Sequence, residues 1–233
     1  MNYTTLYNTI QTYTENQFPD VYLASSSTVN ATTQINTFIT QAEQRIYNSV
    51  QFPSLRKNVT GTTTSSNKYL SCPGDFLATY SMAVVDATGA YEYLLNKDVN
   101  FIRQAYPTPT DTAIPKYYAL FGPTVSGVTI SNELSFILGP TPDTVYTIEL
   151  HYYYYPESIT TVASGQTWLG DNFDSVLLYG SLVEAYSFMK GEVDIIAGYD
   201  AKYKEALALA KRLGDGMERQ DAYRSGQYRQ AVT

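Results

Sequence analysis

The chain predicts an α+β protein: a helical bundle formed by N- and C-terminal helices, an inserted antiparallel β domain of sandwich or barrel-like form, and an extended C-terminal arm. Three observations predict it. Apolar residues recur with a helical period before Pro53 and again after Trp168. Between these points the period falls to 2 and turn residues come every few positions. The last residues hold too few apolar side chains to bury a core of their own. The expected divisions are 1–52 and 166–213 for the two parts of the helical domain, 53–165 for the β domain and 214–233 for the arm.

Taken in order, Tyr3, Leu6, Tyr7, Ile10 and Tyr13 form the first helical stripe. After a polar stretch, Asn30 is placed to cap a second helix over 31–50. Its apolar face is Ile35, Phe38, Ile39, Ala42, Ile46 and Val50, and Pro53 stops it. Strands are then expected at 55–60 and 68–71 around the loop GTTTSSN, and at 80–85 and 90–95 around Asp86-Ala87-Thr88-Gly89. Further strands fall at 117–121, 128–130, 133–138 and 145–155, with one short helix at 97–104 between them. From Trp168 the helical period returns at 172–190 and 193–213. Lys190-Gly191-Glu192 forms the break between the two, and Gly214-Asp215-Gly216 is the expected stop.

The stretch ELHYYYYPESI raises a question of its own. A strand sends successive side chains to opposite faces, so Tyr152, Tyr153, Tyr154 and Tyr155 must land on both sides of a sheet. One face is core. The other is covered either by a neighbouring subunit or by the protein's own helix, and periodicity leaves that open.

Composition narrows the function. Tyrosine is abundant, 23 of 233 residues, while charged residues make up only 16%. Rings with a polar tip suit protein interfaces, strands and sugar platforms alike. Residues 1–201 carry 8 basic and 18 acidic side chains, against 7 and 4 in 202–233. An acidic body does not grip phosphates, whereas a basic end on an acidic body reads as a docking arm. Within that arm Tyr223 and Tyr228 interleave with Arg219, Arg224 and Arg229, the residue types enriched at binding hot spots. A frayed end would be rich in Ser, Glu and Lys instead.

One cysteine, Cys72, excludes an internal disulfide and a cysteine metal site. No leader pattern and no bilayer-length apolar run appear, so a soluble chain without membrane contact is expected. His151, the single histidine, lies in a strand beside tyrosines, which suits packing better than catalysis. Asp194 with Asp200, or Glu133 with Glu149, could form a glycosidase pair, but scattered acids in an acidic chain are ordinarily solvated surface. No recognised nucleophile, phosphate or metal motif occurs, so neither enzymatic activity nor a cofactor is expected.

Several blocks appear together in order over nearly the whole chain: QRIYNSVQFPSLRKN, PGDFLATYSM, YEYLLNKDVNFIRQAYP with PKYYALFGP, FILGPTPDTVYTIELHYYYYPESI, TWLGDNFDSVLLYGSLVEAYSFMKGE and DAYRSGQYRQ. As a set they resemble the head–tail adaptor (portal adaptor, connector) proteins of tailed bacteriophages, especially the short-tailed type. The resemblance implies a virion protein at the head–tail junction, assembled in the host cytoplasm. It implies a dodecameric homo-oligomeric ring bound to the portal protein and offering a platform to the tail nozzle or tube. DNA would pass through during ejection without specific binding. It also implies that the C-terminal extension reaches the portal, which gives Arg219, Tyr223, Arg224, Tyr228 and Arg229 a docking role. Tyr152, Tyr153, Tyr154 and Tyr155 then become candidates for a subunit or tail interface. The competing reading is a tail or receptor-binding module whose tyrosines line a carbohydrate-contact surface.

Overall fold

A computed structural model of the chain describes residues 1–22, 28–108, 110–126, 129–132 and 134–218. In chain order the elements are α1 (Tyr3–Thr14), β1 (Val21–Tyr22), β2 (Thr28–Val29), α2 (Ala31–Ser49) and a 3-10 turn (Pro53–Leu55). There follow β3 (Arg56–Thr62), β4 (Tyr69–Ser71), β5 (Ala78–Val85), β6 (Tyr91–Tyr93), β7 (Leu95–Asn96) and α3 (Val99–Ala105). Next come β8 (Tyr117–Phe121), β9 (Thr124–Ser126), β10 (Thr129–Asn132), β11 (Ser135–Gly139) and β12 (Thr147–Tyr153). The chain then forms α4 (Trp168–Asn172), α5 (Asp174–Phe188) and α6 (Val193–Glu218). The fold is α+β. Two compact units emerge, Met1–Leu55 with Tyr155–Thr233, and Arg56–Tyr154.

The helical unit is built around α5. Its sequence is apolar nearly all round because α1, α2, α4 and α6 all pack on it. Val176, Leu177, Gly180, Leu182 and Ala185 are buried on different sides of that helix. Gly180 is needed for the close approach: a Cβ there would stand 3.2 Å from both the Ala42 and the Tyr203 side chains. Asn2 and Asn30 cap α1 and α2, each side chain accepting 2.8 Å hydrogen bonds from the main-chain N–H three residues on. An Arg45–Glu184 ion pair ties α2 to α5.

The return strand of chain is anchored by a buried acid. Glu43 on α2 is 2% exposed and accepts a 3.0 Å hydrogen bond from the Ile159 N–H. Burial pushes its carboxyl above the usual range, and hydrogen bonds from Ile159 and Ser158 only partly offset this. Residues 155–165 therefore belong to the helical unit.

Two sequence expectations change here. The helix expected to stop at Gly214 continues to Glu218. Gly214 is an internal contact residue: a Cβ there would meet the Gln51 carbonyl oxygen at 2.7 Å and Val50 at 3.3 Å. Glycine serves close packing at that position. The polar stretch after α1 also holds the β1–β2 pair, in which Val21 faces Val29 and Tyr22 faces Thr28, a ladder with little apolar signal.

The second unit is a sandwich. One sheet runs β3-β12-β5-β6 and the other β4-β11-β8-β7. Their facing sides share one core of Phe76, Met82, Val84, Leu94, Tyr118, Phe136, Leu138, Ile148, Leu150 and Tyr152. Phe136 meets Phe76 and Tyr118 edge-on, with ring centroids 5.3 and 5.8 Å apart. Strand β11 is buried along its whole length, because α3 covers its other face through Ile102 against Ala119 and Ile137. Gly139 leaves room for α3: a Cβ would stand 2.9 Å from Ile102. Pairing is antiparallel except for β7, which runs parallel to β8. Strand β12 ends at Tyr153, two residues earlier than the hydrophobic run suggested.

Candidate functional site

The four consecutive tyrosines have four different fates. Tyr152 is no surface residue, contrary to its expected place at an interface: it is 1% exposed, and its ring packs on Phe76 at 5.8 Å. Its hydroxyl donates a 2.7 Å hydrogen bond to Asp75. Asp75 is pushed up by partial burial, but hydrogen bonds from Lys57 and Tyr152 and the Lys57 charge together hold its carboxyl below the usual range. Tyr154 is half-buried against the same core and lies under the Lys57 ammonium at 5.0 Å. Tyr155 turns into the helical unit, where its hydroxyl donates to Asn48 on α2. Of the four, Tyr153 alone lies on the outer face of β12.

That outer face is where an interaction surface forms. Along β12, Ile148, Leu150 and Tyr152 point to the core, which sends Glu149, His151 and Tyr153 outward. The register aligns Arg56, Asn58 and Thr60 of β3 with Tyr153, His151 and Glu149. On the far side Tyr93 lies opposite Ala83, and Tyr91 opposite Val85. An irregularity in β5 between its pairings with His151 and Tyr152 brings Tyr80 out as well. Tyr80 meets Tyr153 edge-on at 6.0 Å, and the Arg56 guanidinium stacks on Tyr80 at 4.5 Å. Tyr80, Tyr91 and Tyr93 are 53, 55 and 67% exposed, a level at which large rings invite a partner.

Polar groups hold this face in order. His151 Nδ1 lies 3.1 Å from Ser81 Oγ, and its Nε2 lies 3.0 Å from Glu149 Oε1. Glu149 also accepts from Asn58 at 3.1 Å and from the Tyr91 hydroxyl, and that bond to a carboxylate raises the Tyr91 phenol. The chain Ser81–His151–Glu149 superficially has the order of a hydrolase triad. Here the carboxylate is shared among three donors from three strands, so it cross-links the face.

Sequence reasoning named Tyr153 on this surface but missed Tyr80, Tyr91, Tyr93 and Arg56. The signal was available in part, since residues two apart in a strand share a face and YEY runs into Leu94, which is buried. Tyr80 was not readable, because the β5 irregularity displaces the alternation. The other singled-out acids have local partners or lie elsewhere: Asp200 pairs with Lys204 at 2.6 Å on α6, and Glu133 lies outside the described residues. So do Arg219, Tyr223, Arg224, Tyr228 and Arg229. Cys72 is half-buried and its thiol is pushed up to about 12 by desolvation, which leaves it an inert packing group. Among the described residues no cluster of three or more metal-ligating side chains occurs, and no helix is long and apolar enough to cross a membrane.

The sequence profile of the family described as SU10 adaptor protein matches residues 1–230 of this chain. Among curated proteins, nothing matches it.

Proposed function

Since the chain belongs to the SU10 adaptor protein family, a family of phage head–tail adaptors, we propose that it forms the ring joining the portal to the tail of a tailed phage. The observation that carries this reading is the extent of the match, which takes in both compact units and most of the C-terminal segment. In this reading the copies assemble as a dodecamer at the head–tail junction. The tail nozzle or tube rests on the ring, and DNA leaves through its centre.

The chemistry of the chain is consistent with three parts of that role: DNA passage, contact between copies and contact with the portal. A wall that lets DNA slide must not neutralise phosphates, and the body of this chain is acidic. A ring also needs partner-facing surfaces on each copy. The exposed tyrosines and Arg56 of the outer sheet face have the composition of interface anchors. The C-terminal segment carries Tyr223, Tyr228, Arg219, Arg224 and Arg229 beyond the end of α6. Its arginines would pair with carboxylates or carbonyls of the portal and its tyrosines would anchor beside them.

The test is to add purified protein to DNA-filled, portal-bearing heads that lack tails. Co-sedimentation and a ring of density at the portal vertex by electron microscopy are expected. Heads that never take up the protein would overturn the reading. One observation favours a second reading: the same rings stand exposed among polar groups, as on a sugar platform. Saturable glycan binding lost in Tyr93→Ala, without head binding, would select that alternative.

A further inference from the structure

Strand β3 is the outermost strand of its sheet, paired with β12 on one side and, among the described residues, with nothing on the other. It is seven residues long, whereas the other outermost strands of the sandwich, β4, β6 and β7, have three, three and two. Proteins ordinarily guard such an edge with short strands or with outward charges. Here the guard has been drawn aside. Lys57 is held by Asp75 at 2.8 Å and lies over Tyr154, and Arg56 stacks on Tyr80. The remainder, NVTGT at 58–62, is uncharged, and Asn58, Thr60, Gly61 and Thr62 are exposed.

The same unit carries a second unfinished ladder. Strands β9 and β10 pair with each other and, among the described residues, with no other strand. A lone two-stranded hairpin is marginal in water. Residues 122–132, GPTVSGVTISN, contain no charge and are rich in β-branched types. The chain's own β3 belongs to the other sheet and does not take this hairpin.

We propose that the β9–β10 hairpin of one copy adds to the β3 edge of a second copy. Every copy then offers one open edge and one hairpin, so the contact is heterologous and repeats from copy to copy, as a ring requires. Main-chain hydrogen bonds supply the attraction in such strand addition, and neither partner has a charge to desolvate. Only the closing of the repeat into a ring rests on the adaptor reading; the pairing itself does not.

The experiment compares amide hydrogen exchange in the isolated chain, in its concentrated self-assembled form and on portal-bearing heads. Two variants accompany the wild type. In one, residues 123–133 are replaced by Asn-Gly, which closes β8 directly onto β11, since Phe121 already faces Ser135. The other is the double substitution Val125→Lys with Ile130→Lys. Assembly of the wild type should slow exchange at 58–62 by about tenfold or more, because a paired amide exchanges only when its ladder opens. Both variants should keep a single cooperative thermal transition and lose self-association. The proposal is overturned if 58–62 exchange alike in single and assembled copies, if both variants assemble as the wild type does, or if the chain never self-associates. Heads that bind the protein without protecting 58–62 sink the strand pairing and leave the adaptor reading standing. Protection on self-assembly without head binding does the reverse.

Discussion

Asp75 and Glu43 carry opposite pH signs, and each follows from what surrounds the carboxyl. Asp75, bonded to Tyr152 and Lys57, has its folded-state value lowered. Its contribution is present above the unfolded-state value and is lost as pH falls through the folded one. Asp75 is more than a third exposed, so solvent screens most of that effect. Glu43 has its folded-state value raised above the ordinary 4.5. Between those values the folded chain holds more protons than the unfolded one, so this group adds stability as pH falls through the window and removes it as pH rises. Glu43→Gln is expected to flatten that slope while its amide oxygen still accepts from Ile159, read as denaturation midpoint against pH. Unchanged slopes in the variant would discount Glu43 as the source. Tyr152→Phe keeps the packed ring and loses only the bond to Asp75, and should cost about 1–2 kcal/mol. Tyr152→Ala also opens a cavity and should cost about 3–5 kcal/mol. Equal losses for the two in chemical denaturation would mean that the ring's packing contributes nothing.

At the scale of elements, glycines divide into those that admit a neighbour and those that merely weaken a helix. In α6, Gly214 lies against the Gln51 carbonyl, where a Cβ would come within 2.7 Å of it. Gly198 in the same helix has nothing within 4 Å of that position. Gly198→Ala is therefore expected to stabilise by about 0.5–1 kcal/mol through helix propensity. Gly214→Ala should destabilise by about 1–3 kcal/mol, because the backbone of the α2–β3 connection must move to admit the methyl group. Thermal unfolding of the pair decides it, and stabilisation by Gly214→Ala as well as by Gly198→Ala would show that Gly214 is not a packing contact. The same helix also fixes where a truncation must fall. Cutting after Leu213 would remove the last turns of α6, whereas cutting after Glu218 removes only the segment beyond it.

For the molecule as a whole, the chain leaves the helical unit at Leu55 and returns at Tyr155, while Arg56 and Tyr153 are paired neighbours. Residues 56–154 thus begin and end side by side and enclose a core of their own. This fragment, expressed alone, is expected to fold cooperatively, with dispersed amide resonances and a single thermal transition. A fragment lacking both would show that its core depends on the rest of the chain. Truncation after Glu218 should leave the helices and the sandwich intact by circular dichroism but abolish or greatly weaken attachment to portal-bearing heads. Undiminished co-sedimentation would place the portal contact on the folded units.

The amino-acid sequence by itself determined the main helices, the strand-rich region between them, the Asn30 cap of α2 and the family, because these depend on local period, turn chemistry and ordered blocks. It also pointed to the acidic body and the basic, tyrosine-bearing end. Tertiary structure alone decided what each of the four tyrosines does. A two-residue period says that side chains alternate, but not which face meets the second sheet, nor that β12 ends at Tyr153 and frees Tyr155 for Asn48. It alone set Tyr80 beside Tyr153 and Arg56, since an irregularity in one strand shifts every later side chain across the sheet. Gly214 has the local signature of a helix stop, because nothing local distinguishes a glycine that ends a helix from one that lets a distant carbonyl approach. That distinction depends on residue 51, far away in the chain and adjacent only once the helices have packed.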